Sequence, residues 1–251
     1  MIPETSISSK GPIPPIFITG IGTGVGKTLV AAIITEALQA DYWKPVQAGY
    51  ADGTDSEWVR GALSNPLSRV HPETYRLAMP ASPHIAARGE GVTISIERIA
   101  GDLRRISATM SALSPDLPLV SGSSGSPPAL PALRARPLVI EGAGGLLVPL
   151  SETEFVPDLI MALGATVILV SRNYLGSINH SLLTAAVCKA YGLRVAGWIF
   201  CDQYGHYEAD IVRWTGIPAF GSIPYSAGPG RAFVLEQAER LAAPLRAAFS
   251  A

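Results

Sequence analysis

Ile16-Phe17-Ile18-Thr19-Gly20-Ile21-Gly22-Thr23-Gly24-Val25-Gly26-Lys27-Thr28 decides the fold: an apolar strand candidate runs into a glycine-rich turn, and the turn opens a helix. Glycines allow positive φ and close backbone approach, so successive N–H groups can converge on phosphate oxygens while the new helix points its positive end at them. In such a cradle Lys27 reaches the β- and γ-phosphates and the Thr28 hydroxyl holds Mg²⁺. The strict spacing asks for glycine at position 21, where the chain has Ile21. The first glycine sits one residue earlier, which makes this a variant phosphate loop. A glycine-rich turn closed by an unrelated Lys-Thr is the alternative; the strand before and the helix after favour the cradle.

Outward from the loop, strand and helix signals alternate. Leu29 to Leu38 reads as a buried helix and Tyr42 to Val46 as a short strand ending in a turn at Gly49. Thr54-Asp55-Ser56-Glu57 is a helix cap, and Ser82-Pro83-His84 places Ser at a second cap with Pro at the first helical position. Ser95 to Leu113 is amphipathic, with Arg98, Arg104 and Arg105 on its outer side. Then come strand Leu138 to Ile140, helix Phe155 to Leu163, strand Thr166 to Val170, helix Ser177 to Tyr191, strand Val195 to Phe200, helix Glu208 to Trp214, strand Pro218 to Ile223 and a closing helix Ala232 to Phe249. The strands near 138, 166 and 195 are continuous apolar runs. That pattern predicts an α/β fold of the phosphate-loop type, a mostly parallel sheet with helices on both faces. Residues 114–137, rich in Pro, Ser and Gly, are expected to be a mobile excursion, and 1–14 an N-terminal extension, within one domain spanning 1–251.

Composition narrows the function. With 48% hydrophobic and 16% charged residues in 251 and a mean hydropathy of +0.29, the chain carries enough apolar mass for a packed core. A formal charge of −1 without a Lys/Arg cluster offers no electrostatic footprint for nucleic acid or an anionic membrane, so small molecules are the expected ligands. Cys188 and Cys201 are too few for a disulfide framework or an all-cysteine metal site, as suits a reducing cytosol. No signal-peptide pattern opens the chain and no run is long enough to span a bilayer, which predicts a cytoplasmic protein.

In open α/β sheets the ligand lies outside the carboxyl ends of the strands, so residues just after strands carry the most information. Lys44, at the end of the second strand, is either a second ammonium facing a polyphosphate or a solvated lysine. Glu141, directly after Leu138-Val139-Ile140 and before Gly142-Ala143-Gly144-Gly145, suits a Mg²⁺ ligand with substrate close to the backbone, or a plain turn. Asp55 is a second metal candidate, or a helix-start carboxylate complementing the dipole. Gly176-Ser177-Ile178-Asn179 opens a helix whose free N–H groups suit a carboxylate, although helix starts without ligands are commoner. His71, His84, His180 and His206 lack metal-ligand spacing, and no Gly-x-Ser-x-Gly elbow supports a serine nucleophile.

Taken in order, these stretches resemble the dethiobiotin synthetase family, ATP-dependent enzymes of late biotin biosynthesis. The resemblance is carried by Thr19-Gly20 through Lys27-Thr28, Trp43-Lys44-Pro45-Val46-Gln47-Ala48-Gly49, Thr54-Asp55-Ser56, Ser82-Pro83-His84, Glu141-Gly142-Ala143-Gly144-Gly145, Leu175-Gly176-Ser177-Ile178-Asn179-His180 and Gly197-Trp198-Ile199. It implies a homodimer that converts 7,8-diaminononanoate, CO₂ or bicarbonate and Mg-ATP into dethiobiotin, ADP and phosphate. It further implies that Lys27, Lys44 and Thr23 are catalytic and that Thr28, Asp55 and Glu141 hold Mg²⁺. Gly22, Gly24, Val25, Gly26, Lys27, Thr28, Glu141, Cys201 and Pro224 would surround the nucleotide. Thr23, Lys44, Ala48, Gly142, Ala143, Gly144, Gly176, Ser177 and Asn179 would meet the substrate, the last three from the neighbouring subunit.

Three positions depart from the family pattern. Gly24 stands where some members carry an acidic residue, Ala48 replaces a serine, and Cys201 stands where an asparagine that reads the adenine edge is common. A thiol lacks an amide's paired donor and acceptor. A nucleotide-switched ATPase of the septum-positioning or partition type is the main rival, but such switches carry an extra lysine near the loop's start, where this chain has Ile21 and Gly22. An amide-forming ligase of the same broad class would bring a glutaminase-like Cys/His segment, and a non-catalytic nucleotide-binding module would have no use for Lys27, Thr28, Asp55 and Glu141 together.

Overall fold

The computed structural model of the chain describes residues 14–112, 136–202 and 206–249. Most of the predicted excursion at 114–137, and the extension up to residue 13, lie outside the described residues. Seven strands form one wholly parallel sheet. In chain order they are β1 (Ile16–Gly20), β2 (Asp41–Trp43), β4 (Val70–His71), β6 (Leu138–Glu141), β7 (Thr166–Arg172), β8 (Val195–Cys201) and β9 (Ala219–Ile223). Across the sheet the order is β4-β2-β6-β1-β7-β8-β9. From β1 the chain lays β2 and β4 to one side, returns to insert β6 between β2 and β1, and then adds β7, β8 and β9 on the other, so β1 ends beside the point where the strand order reverses. That position in an open sheet leaves a crevice at the carboxyl edge.

Alternation along each strand sorts side chains between two cores. Phe17, Trp43, Ile140, Leu169 and Phe200 fill one, with α3 (Pro83–Gly89), α5 (Val156–Ala162), α6 (Ser177–Ala190) and α7 (Glu208–Thr215) contributing residues. Ile16, Ile18, Tyr42, Val139, Ile168 and Ile199 fill the other, beneath α1 (Lys27–Leu38), α2 (Asp55–Ala62) and α8 (Arg231–Phe249). The remaining helix, α4 (Ile96–Ala112), seals Ile96 and Ile99 into the first core and turns Arg98, Arg104 and Arg105 outward. Burial on both faces explains why the central strands are uninterrupted apolar runs.

The single strand expected from Tyr42 to Val46 is two. Pro45 has no N–H to give a ladder, so β2 stops at Trp43 and the chain leaves the sheet. It resumes as β3 (Val46–Ala48), paired in parallel with β5 (Tyr75–Leu77) in a separate two-stranded ladder. Strands β4 and β5 had no sequence signal, being two and three residues long on either side of Pro72. At α2 the expected cap is present in full. Thr54 Oγ1 accepts from Glu57 N at 3.1 Å and the Glu57 carboxylate accepts from Thr54 N at 2.9 Å.

A buried carboxylate fixes α2 against α1. Glu36 accepts from Ser64 N (2.9 Å), Ser64 Oγ (2.5 Å) and Asn65 Nδ2 (2.9 Å), in the turn that follows α2. Burial alone would raise its pKa, yet these donors outweigh it and hold the carboxyl below the ordinary glutamate range. A group with a lowered folded pKa stabilises fully above its unfolded value, roughly 4.3, and loses that contribution as pH falls through the folded value. Glu36→Ala should therefore cost about 2 kcal/mol at pH 7 in denaturant melts, with the deficit against wild type shrinking below about pH 4. A deficit that does not change with pH would contradict this role.

Candidate active site

The P-loop, the end of β2, the end of β6 and the end of β8 open on one cleft of about 1010 Å³. The loop is pinned from both sides: Ile21 N donates to Val170 O at 3.1 Å, and Val30 N donates to Gly26 O at 2.9 Å as α1 begins. Gly26 caps α1 with φ +98°, and a Cβ there would stand 2.8 Å from Cys201 Sγ. Only glycine fits both the conformation and the space.

Five side chains from four segments converge beside the loop. Lys44 Nζ lies 2.6 Å from Asp55 Oδ2 and 2.9 Å from Glu141 Oε1. Thr28 Oγ1 is 3.0 Å from Asp55 Oδ1 and 2.8 Å from Glu141 Oε1. Tyr42 donates its hydroxyl to Glu141 Oε2 at 2.7 Å. Glu141 is 1% exposed and Lys44 5% exposed, so their charges face each other with little water between them. Burial by itself would lower the Lys44 pKa, but the charges of Glu141 and Asp55 raise it, and the ammonium stays protonated. For Asp55 burial pushes up, but the charge and hydrogen bond of Lys44, the Thr28 hydroxyl and the charge of Lys27 together outweigh it, leaving the carboxyl below its usual range. Asp55 is set by its neighbours as well, its N–H donating to Gln47 Oε1 at 3.3 Å.

Lys27 has another partner. Its Nζ donates to Gly22 O at 2.7 Å, folding the side chain back along the loop. Burial lowers its pKa to about 8; Glu141 and Asp55 partly restore the charged form, and the ammonium of Lys44 opposes it. An incoming anion would relieve that strain.

The cluster also answers whether Mg²⁺ suits these residues. Thr28 has one hydroxyl proton for Asp55 Oδ1 and Glu141 Oε1, and Glu141 Oε1 also meets the Lys44 ammonium, so the hydroxyl oxygen and both carboxylates line one point beside the loop. Two carboxylates and a hydroxyl are hard oxygen donors, and Mg²⁺ is typically held by one or two carboxylates with phosphate oxygens completing its shell. Among the described residues no group of three or more His, Cys, Asp or Glu side chains could hold a metal alone. The set fits a cation that arrives with a polyphosphate.

Lys27, Thr28, Lys44, Asp55 and Glu141 are thus brought together, with Thr23, Gly24, Val25, Gly26, Ala48, Ala143, Gly144, Cys201 and Pro224 along the same cleft. Four other sequence candidates lie apart from it. Gly142 packs inward, where a Cβ would meet the Phe17 ring at 2.8 Å, so its glycine serves the core and not an open approach to a ligand. Ser177 is fully buried and its Oγ accepts from Tyr174 N at 3.3 Å. Gly176 and Asn179 are exposed at the start of α6, outside the cleft. Gly22 borders a second cavity of about 560 Å³ that shares Thr23, Gly24 and Val25 with the cleft.

Sequence reasoning passed over three residues. Tyr42 is two positions before Lys44 on the same strand face, a signal that period-two alternation contains. Gln47 holds the Asp55 backbone. Arg172, at the end of β7, pairs with Asp202 at 2.5 Å and lines both cavities.

Cradle, lysine pair and carboxylate pair define a P-loop enzyme of the parallel α/β class that handles a nucleoside triphosphate. Residues 15–230 match the model of the family described as AAA domain. The ATP-dependent dethiobiotin synthetase BioD of Cytophaga hutchinsonii is 48% identical over 201 residues, covering 80% of this chain and 83% of that relative. The ATP-dependent dethiobiotin synthetase BioD of Rhodopseudomonas palustris strain HaA2 is 40% identical, covering 84% and 85%. The chain belongs to the ATP-dependent dethiobiotin synthetase family. Two solved structures share the fold: a ParA family ATPase from Chlorobium tepidum (TM-score 0.50, 12% identity, 90% of this chain and 98% of that one) and a MinC:MinD cell division complex from Aquifex aeolicus (0.52, 14%, 91% and 95%). At those identities they speak for architecture alone.

Neither thiol is a nucleophile here. Burial pushes Cys201 up to about 12, with the charge of Asp202 adding and Arg172 offsetting, and burial pushes Cys188 to about 12 as well. Thiolate is the reactive form. A disulfide reagent at pH 8 should therefore find no thiol on the native protein and two in denaturant; rapid native modification of Cys201 would contradict its packing against the loop.

Proposed function

We propose that this chain closes the ureido ring of dethiobiotin, taking 7,8-diaminononanoate, CO₂ and Mg-ATP to dethiobiotin, ADP and phosphate. One observation carries the reading: Lys44, Thr28, Asp55 and Glu141 are gathered in a single contact cluster beside Lys27 and the P-loop. Such a site provides for charge and provides no protein nucleophile.

The reaction needs that combination. One substrate amine adds to CO₂ and loses a proton, giving a carbamate. A carbamate oxygen takes the γ-phosphoryl group of ATP and ADP leaves. The second amine attacks the carbamoyl carbon, closes the ring and expels phosphate. Both amines belong to one molecule, so the last step gains from proximity. Charge on the moving phosphoryl is what the protein must meet, through the loop N–H groups, Lys27 and Lys44. Thr28, Asp55 and Glu141 would hold Mg²⁺, which supplies charge neutralisation to the phosphate oxygens. With Asp55 and Glu141 engaged by a cation, the Lys44 ammonium would be available to the carbamate, in the same cleft as Thr23, Ala48, Ala143 and Gly144.

Homodimer formation is part of the proposal. Gly176 and Asn179 lie exposed outside their own cleft, next to Leu175, which is 85% exposed. That placement supports their meeting the carboxylate of substrate bound to a partner subunit.

Lys44→Gln tests the reading. Turnover, followed as labelled bicarbonate fixed into dethiobiotin, should fall at least about 100-fold, the scale of losing a preorganised charge at a developing anion. The fold should persist with a lower melting temperature, because Asp55 and Glu141 lose their buried counter-charge. Wild-type turnover in a folded Lys44→Gln protein would return Lys44 to a structural counter-ion.

A further inference from the structure

Glu141 spends its two oxygens differently. Oε1 faces Thr28 and Lys44, the groups that open on the cleft. Oε2 points the other way and takes the Tyr42 hydroxyl at 2.7 Å. Tyr42 is fully buried, its ring held in the core under α1 with Ile18 and Val139, and it is absent from the cleft lining. The register explains the reach. Tyr42 pairs with Val139 and Trp43 with Ile140 in the parallel β2–β6 ladder, which sets the tyrosine diagonally behind the strand-end carboxylate.

The Tyr42 hydroxyl is the donor that Glu141 Oε2 meets in the core, and a buried carboxylate oxygen without a donor would cost free energy. Turning Glu141 so that both oxygens face the cleft would break this bond and leave the hydroxyl unpaired in the core.

We infer that Tyr42 is a positioning residue that restricts Glu141 to one oxygen at the cation site and thereby sets the choice of divalent ion. This rests on the reading of Thr28, Asp55 and Glu141 as the groups that hold Mg²⁺. The chemistry follows from ion size. Mg²⁺ is small, demands near-octahedral geometry and accepts few protein ligands, whereas Ca²⁺ takes six to eight oxygens and readily uses both oxygens of one carboxylate. A glutamate free to turn would suit Ca²⁺; a glutamate tied at Oε2 suits Mg²⁺. The tyrosine acts without touching substrate, nucleotide or ion.

The test is the ratio of Ca²⁺ to Mg²⁺ affinity in the presence of ADP, read by electron paramagnetic resonance as displacement of bound Mn²⁺. Tyr42→Phe removes the hydroxyl and keeps the ring, and Tyr42→Met removes the donor by a different shape, guarding against failure of one variant to fold. Both should raise the Ca²⁺/Mg²⁺ ratio at least about tenfold over wild type. A ratio within twofold of wild type in a folded variant overturns the inference, because a purely structural tyrosine would leave ion preference unchanged. Wild-type protein that holds no Mn²⁺ beyond that bound by ADP alone would overturn the cation reading itself, a separate result visible before any variant is compared.

Discussion

One ammonium shared by two carboxylates organises this molecule's chemistry. Lys44 Nζ stands within 2.9 Å of both Asp55 and Glu141, at a strand end that is almost wholly buried. Two like charges brought this close without a counter-ion would repel strongly in a low-dielectric interior, and α2 and β6 could not both deliver their carboxylates to the cleft. The constraint reaches outward. The Thr54–Glu57 capping box and Gln47 place Asp55, Glu36 fastens α2 to α1, and Tyr42 steadies Glu141 from behind. The P-loop supplies the remaining side of the same enclosure.

That arrangement also suits the chemistry asked of it. Where an acyl group is activated by phosphate and captured by an amine already attached to the substrate, a protein nucleophile adds a step and gains nothing. The two cysteines agree with this, being buried and held in the thiol form. Gly24 offers no side chain to the loop, so under the proposal a cation would draw on Thr28, Asp55 and Glu141. Lys27, turned back on Gly22 O and lowered to about 8, has most to gain from an arriving anion.

Much of the architecture could be read from residue order. Continuous apolar strands separated by amphipathic helices describe a parallel sheet, and the glycine-rich turn before Lys27 marks its central strand. What escaped was short or non-local. Strands β4 and β5 are too brief for any periodicity, and their pairing follows from contacts distant in sequence. Lys44, Asp55 and Glu141 stood out as strand-end or helix-start charges, yet sequence could not say that one ammonium joins them. Gly142 carries a constraint that sequence could not show: Phe17 leaves no room there for a Cβ. Tyr42 was hidden because an aromatic residue in a buried strand looks like core, and its ring is core; only its hydroxyl belongs to the site.

The central claim is that Lys44 holds the two carboxylates together until a cation replaces it there. A crystal structure with Mg²⁺ and a non-hydrolysable ATP analogue measures this directly. The account predicts the cation among Thr28, Asp55 and Glu141, with Lys44 Nζ moved away from at least one carboxylate and toward the phosphate and carbamate side of the cleft. A bound Mg-nucleotide with Lys44 still seated between Asp55 and Glu141, and the cation held elsewhere, would contradict it.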